Sequence, residues 1–198
     1  MVMKLILLVL LMTASACNEK QPATAPSVGA VTVHGQLLDF ATQAARPAMT
    51  IRFVDDFRVN TGSATTDQTG SYVLSIPAAG SYLVWINETG IGRVRVHGGP
   101  FRGELFVDDG TCISRYGTVF NRMSSRPVAG ATVSLGQQTA TTGVDGWYRI
   151  DLGCPASRMI GFNTTFIYVT HPRFANYQQI VGRRLYEVQR LDMDIDPL

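Results

Sequence analysis

Three histidines, three cysteines and a scatter of aspartates are the groups in this 198-residue chain best suited to chemistry. Metal-assisted hydrolysis needs His, Asp or Glu ligands converging on one point, often leaving H-E-x-x-H or H-x-x-E spacing in the sequence. His34, His97 and His171 lie in separate segments without either spacing, so each reads as a turn or strand-end residue. Nucleophilic catalysis from a strand-to-helix elbow needs Gly-x-Ser-x-Gly, which is absent, and the serines sit in turn-like contexts. Hard oxygen ligands for calcium occur in Asp108-Asp109-Gly110 and in Asp192-Met193-Asp194-Ile195-Asp196. Strand alternation places Asp192, Asp194 and Asp196 on one face and Leu191, Met193 and Ile195 on the other, so a solvated strand face is the simpler reading. Trp147, beside Gly146, could stack on a sugar if exposed; Trp85, Tyr72, Tyr82, Tyr148 and Tyr168 read as core residues of strands. The expectation is a chain with no catalytic residue, no metal and no cofactor.

The elements that carry these residues are short. Hydrophobic residues make up 45% of the chain and charged residues 16%, enough to bury a core, and 19 Gly with 9 Pro break it into brief strands. Period-2 alternation marks Val31–Val33, Ile51–Val54 and Tyr72–Ile76, while Tyr82–Ile86 is a continuous apolar run, as a strand buried on both faces would be. An antiparallel sandwich or barrel follows. With 17 basic against 15 acidic residues, and only Arg183 and Arg184 adjacent among the cations, no basic face points to nucleic acid.

A separate chemistry belongs to Cys17. Lys4, the apolar run Leu5–Met12 and the small residues Ala14-Ser15-Ala16 precede it, as in an export signal too short to span a bilayer. Small residues followed at once by cysteine resemble the lipobox of bacterial lipoproteins, with Ala14 where leucine is usual. The resemblance implies removal of residues 1–16, a diacylglyceryl group on Cys17 and a polar lipidated tether over residues 17–30. Asn18, in place of an aspartate, implies the outer membrane over the inner. Asn87-Glu88-Thr89 and Asn163-Thr164-Thr165 match a glycosylation pattern but read as turns in such a protein. Cys112 and Cys154 remain, 154 − 112 = 42 positions apart, and an even pair in an exported chain reads as a disulfide, stabilising by roughly 4 kcal/mol through the unfolded state.

The body is duplicated. Thr65-Thr66-Asp67-Gln68-Thr69-Gly70-Ser71-Tyr72 is answered by Thr141-Thr142-Gly143-Val144-Asp145-Gly146-Trp147-Tyr148, both glycine and tyrosine displaced by 76 (146 − 70, 148 − 72). Upstream, Gly35–Leu38 leads to Arg46-Pro47, and Gly117–Phe120 to Arg126-Pro127. The glycines supply φ > 0, the Thr and Asp side chains satisfy turn amides, and the prolines end one strand before the next. The second copy, with Pro127-Val128-Ala129-Gly130-Ala131-Thr132-Val133 and Thr141–Tyr148, resembles the carboxypeptidase regulatory-like domain. That resemblance implies two tandem transthyretin-like or immunoglobulin-like β-sandwiches, over residues 31–109 and 110–198, and a non-catalytic module. A related sandwich houses an iron dioxygenase using Tyr and His; Tyr168 and His171 are close, but no second set accompanies them. The reading is a membrane-anchored binding or structural module whose partner is an envelope protein or carbohydrate. The alternative is an accessory subunit or enzyme acting on envelope polysaccharide or peptide.

Overall fold

Alternation of apolar and polar residues in short segments, with turn residues between them, builds a structure of strands. The computed structural model describes residues 29–57, 61–97, 101–108, 112–153, 165–181 and 188–198. Among them are fifteen strands and no helix. The strands are β1 (Val31–Asp39), β2 (Thr50–Asp55), β3 (Thr61–Thr65), β4 (Ser71–Ile76), β5 (Gly80–Ile86), β6 (Thr89–Val96), β7 (Glu104–Val107) and β8 (Ile113–Asn121). They continue with β9 (Thr132–Leu135), β10 (Gln138–Thr141), β11 (Trp147–Gly153), β12 (Thr165–His171), β13 (Phe174–Val181), β14 (Val188–Leu191) and β15 (Met193–Ile195). The protein is all-β, as its sequence implies.

Strand β4 shows why. Tyr72, Leu74 and Ile76 are buried while Val73 and Ser75 face outward, the period of two that a half-buried sheet requires. Strands β4-β1-β7 form one layer over β3-β2-β5-β6, and Val33, Leu37, Phe53, Leu74, Val84 and Leu105 fill the space between. In the second half, β10-β9-β12-β13 cover β11, β8 and β15 around Val119, Val133, Tyr148, Ile167, Met193 and Ile195.

Three features differ from the sequence expectation. The ladders are mixed: β7 runs parallel to β1, β14 parallel to both β6 and β8, and β15 parallel to β8. Each of these pairs joins segments separated by a long connection, which hairpin patterns do not reveal. Strand β14, lying between β6 and β8, fuses a sheet of each half into one path β11-β8-β14-β6-β5-β2-β3. Finally, β5 is not buried on both faces: Tyr82, Val84 and Ile86 point into the core, and Leu83 and Trp85 lie half-buried on the other side.

The duplication is geometrical as well as textual. The buried hydroxyl of Thr66 donates to the Arg46 carbonyl and accepts the Met49 amide; that of Thr142 donates to the Val128 carbonyl and accepts the Ala131 amide. The Gly70 and Gly146 carbonyls accept the amides of Leu37 and Val119, and both glycines have φ near +70° (74° and 71°). The Arg-Pro pairs, however, are not equivalent. Ala45 bridges Leu38 as Pro127 bridges Phe120, so Ala48, not a glycine, occupies the place of Gly130. Small-residue turns slide in an alignment where their hydrogen bonds do not.

Candidate functional site

Some of the sequence-selected residues lie within the junction of the halves, some elsewhere on the strands, and some outside the described residues. Cys17 and Cys154 are in the last group, as is Asn163. Cys112 is fully buried beside Phe40, Phe106, Tyr116 and Val188, where the two halves meet, and its amide donates to the Asp108 carboxylate. Asp109 and Gly110 lie outside the described residues.

The aspartate triplet is a solvated face only at its end: Asp196 is exposed, Asp194 is partly buried and Asp192 is buried. Asp192 is buried against Arg190, both side chains at 0% exposure, with Nε of Arg190 3.2 Å from Oδ1. Oδ1 also accepts the Thr118 amide at 2.9 Å and Oδ2 the Arg95 amide at 2.8 Å, while Arg190 donates to the Glu104 carbonyl at 2.9 Å. One ion pair thus ties together β6, β7, β8 and the β14–β15 link. Burial opposes the Arg190 charge, but the Asp192 carboxylate outweighs it and moves the guanidinium pKa further up. Asp194 pairs with Arg95 at 3.1 Å and Asp196 with Arg122 at 3.2 Å. The strand alternation places the aspartates correctly; arginines take Asp192 wholly and Asp194 largely out of water, while Asp196 stays exposed. Every carboxylate of the triplet is engaged by a cation of this chain, which favours a structural role over calcium ligation.

Trp147 is part of the same junction. The Arg102 guanidinium lies 4.2 Å from its ring centroid, held there by Glu104 at 2.6 Å and Asp145 at 2.9 Å, and the Tyr116 ring is 5.6 Å away. Intramolecular partners therefore occupy the ring that a sugar would need. Asp192 and Asp194, with Arg93, Arg95, Arg122 and Tyr177, also line a groove of about 250 Å³ whose charges are largely matched. Burial lifts the Tyr72, Tyr116 and Tyr148 hydroxyls well above the usual phenol range and keeps them neutral: Tyr72 donates to the Gly103 carbonyl, Tyr148 to the Leu191 carbonyl, and Tyr116 accepts the Phe106 amide.

The histidines do not meet. His34 is exposed on β1, His97 packs edge-on to Phe120 at 4.3 Å, and His171 accepts the Arg173 amide in the β12–β13 turn. Among the described residues no three His, Cys, Asp or Glu side chains are placed to hold a metal ion.

A site that the sequence reading passed over lies on the outer face of the first half. Trp85 sits opposite Arg52 on β2 and Gly90 on β6, and a Cβ at Gly90 would lie 3.7 Å from three atoms of its six-membered ring. The indole therefore lies across a bare stretch of backbone. Its cleft, about 390 Å³, is lined by Arg52, Val54, Thr61, Trp85 and Glu88. Asn87 fixes the turn that presents Glu88: its amide donates to the Thr50 carbonyl at 2.8 Å and its Oδ1 accepts the Thr50 amide at 3.0 Å. Alternation from buried Tyr82, Val84 and Ile86 would have placed Trp85 outward; the unbroken apolar run obscured it.

No family model matches the chain, and no curated protein matches it. Among solved structures it is similar to the TIE protein of Bacillus anthracis, at 12% identity and a TM-score of 0.32, over 86% of this chain and 34% of that one. It is likewise similar to a streptococcal ancillary pilin, at 11% identity and a TM-score of 0.32, over 87% and 64%. The shaft pilin SpaA of Lactobacillus rhamnosus GG gives 9% identity and a TM-score of 0.27 over 86% and 98%. The chain spans about a third of the first and under two thirds of the second. No helix among the described residues is long and apolar enough to cross a membrane.

Proposed function

We propose that this chain is a lipid-anchored, extracytoplasmic binding or structural module of the bacterial envelope, built from two carboxypeptidase regulatory-like repeats and without catalytic activity. The observation that carries the proposal is Cys17 directly after Ala14-Ser15-Ala16 and the apolar run. An acylated Cys17 would hold a body of strands at the membrane through the polar segment that follows, since two or more acyl chains give a stable anchor. The chemistry of the described surface supports the non-catalytic half of the reading. The buried pair of Arg190 with Asp192 is sealed in the junction and spends its remaining hydrogen bonds on backbone. Fusion of both halves through β14 gives a continuous sheet able to transmit position without a hinge at that strand. In an exported protein Cys112 is read as bonded to Cys154, stapling the segment before β8 to the one after β11.

The test is partition. The full chain expressed in a bacterium should enter the detergent phase and incorporate labelled palmitate, and Cys17→Ala should release it to the aqueous phase. A Cys17→Ala protein that partitions unchanged overturns the anchor, and turnover of envelope peptide or glycan by the purified chain overturns the non-catalytic reading.

A further inference from the structure

We propose that the Trp85 cleft binds a neutral pyranose, the terminal or internal sugar of a glycan. This rests on the binding-module reading above and gives that module its ligand class.

Four observations converge. Trp85 is half-buried on an outer sheet face, with one side of the indole against Gly90, leaving its other side to the cleft. A rigid aromatic plane held this way is a platform for the C–H face of a sugar ring and loses little conformational freedom on binding. Second, Arg52 and Glu88 flank the indole without an ion-pair or hydrogen-bond partner among the described residues, although Arg46, Arg93, Arg95, Arg102, Arg122, Arg149 and Arg190 each have a carboxylate. The two therefore present unspent donors and acceptors: the guanidinium can donate to ring and hydroxyl oxygens, and the carboxylate can accept from hydroxyls. Third, the charges are one of each sign. A cationic ligand would meet Arg52 and an anionic one Glu88, so the arrangement selects a neutral, hydroxyl-rich partner. Fourth, the site is built in advance. Arg52 and Trp85 face each other across the β2–β5 ladder, Val54 faces Thr61 across β2–β3, and Asn87 clamps the turn bearing Glu88 to Thr50. The cleft, about 390 Å³, suits one or two sugar rings.

The other exposed aromatics make a useful contrast. Phe166 and Tyr168 lie 6.1 Å apart on the outer face of β12, with Tyr168 43% exposed, and neither lines the Trp85 cleft. They serve as a control surface.

The experiment uses the full chain in detergent with Trp147→Phe, which leaves Trp85 as the sole tryptophan. Methyl glycosides and short oligosaccharides of glucose, galactose, mannose and N-acetylglucosamine are titrated by fluorescence and calorimetry, with choline and inorganic phosphate as charged probes. One neutral sugar series should shift the Trp85 emission and bind with a Kd of about millimolar or tighter. Trp85→Ala should weaken binding by about tenfold or more, and Arg52→Ala and Glu88→Gln by about three- to tenfold each. Tyr168→Ala should leave it unchanged. Because Arg52 and Glu88 are exposed and unpaired, their variants fold as the parent does and keep the test decisive. Silence across the sugar panel, a response to choline or phosphate alone, or sugar binding that survives Trp85→Ala and Glu88→Gln overturns the proposal. Silence with Cys17-dependent partition intact overturns the glycan site and leaves the anchored module standing.

Discussion

Tyr148 stands directly opposite Gly117 across the β8–β11 ladder, and its hydroxyl donates at 2.7 Å to the Leu191 carbonyl, which lies in the space a Cβ on Gly117 would fill. That Cβ would be 2.2 Å from the same oxygen. The first half repeats the device: Tyr72 is opposite Gly35, and its hydroxyl donates to the Gly103 carbonyl, 2.1 Å from a Cβ at Gly35. Each tyrosine locks a returning chain segment against its own β-ladder. Tyr148→Phe should cost about 1–2 kcal/mol, because a buried carbonyl loses its donor, and Gly117→Ala should cost more, because backbone must move. Urea denaturation of both variants measures the difference; a neutral Gly117→Ala would contradict the close approach.

Ala48 and Gly130 hold equivalent turn positions, each donating its amide to a threonine carbonyl, Thr66 or Thr142. Ala48 does so at φ 58°, in the left-handed region that an L-residue resists, whereas Gly130 has φ 74° at no such cost. Ala48→Gly should therefore stabilise the protein by about 0.5–1 kcal/mol, after allowing for the extra freedom of glycine in the unfolded chain. Gly130→Ala should do the reverse by a similar amount, and since an added Cβ there meets nothing within 4 Å, the loss reports backbone conformation alone. Thermal melts of the two variants should move in opposite directions.

How much of this was legible in the sequence depended on whether a residue answers to its neighbours or to a distant strand. The duplicated Thr-Thr…Gly-x-Tyr turns could be read because the hydroxyl partners of Thr66 and Thr142 lie within the same repeat, 11 to 20 positions upstream. Burial of Asp192 could not, since the groups that desolvate it come from Thr118 and Arg95, 74 and 97 positions away. Trp147 was singled out by an adjacent glycine, yet Arg102 and Tyr116 take its ring from either side of the junction. Trp85 was hidden by Leu83 and Val84, apolar neighbours that mask alternation although only one of them faces the core.

The Arg190–Asp192 pair makes its own prediction because both side chains are wholly removed from water. Removing one partner strands the other charge in the junction, so Arg190→Met or Asp192→Asn should each destabilise by about 3–5 kcal/mol. The double variant should cost clearly less than the sum, because it strands neither charge. Equilibrium unfolding of the four proteins closes the cycle. Additive losses would mean that the pair acts through its separate backbone contacts and not as an ion pair.

His97 gives the protein a pH response distinct from that of its carboxylates. Burial lowers its pKa from the ordinary 6.5, with Arg95 acting in the same direction and Asp194 and Asp192 opposing. The ring packs edge-on to Phe120, and its Nε2 is buried without a partner. The folded protein thus binds a proton at His97 less readily than the unfolded chain, which makes unfolding proton-linked. Stability from this source is complete above about pH 6.5 and is lost as the pH falls through the lowered value. Asp39 also contributes acid sensitivity, its pKa lowered chiefly by the Thr42 amide, but that loss begins only near and below the ordinary carboxylate range, about pH 4. Melting temperatures measured from about pH 8 to 5 should therefore decline for the natural chain, and His97→Gln, which cannot titrate, should flatten the part of that decline below about pH 6.5. Parallel curves for the two proteins across that window would remove His97 as the source.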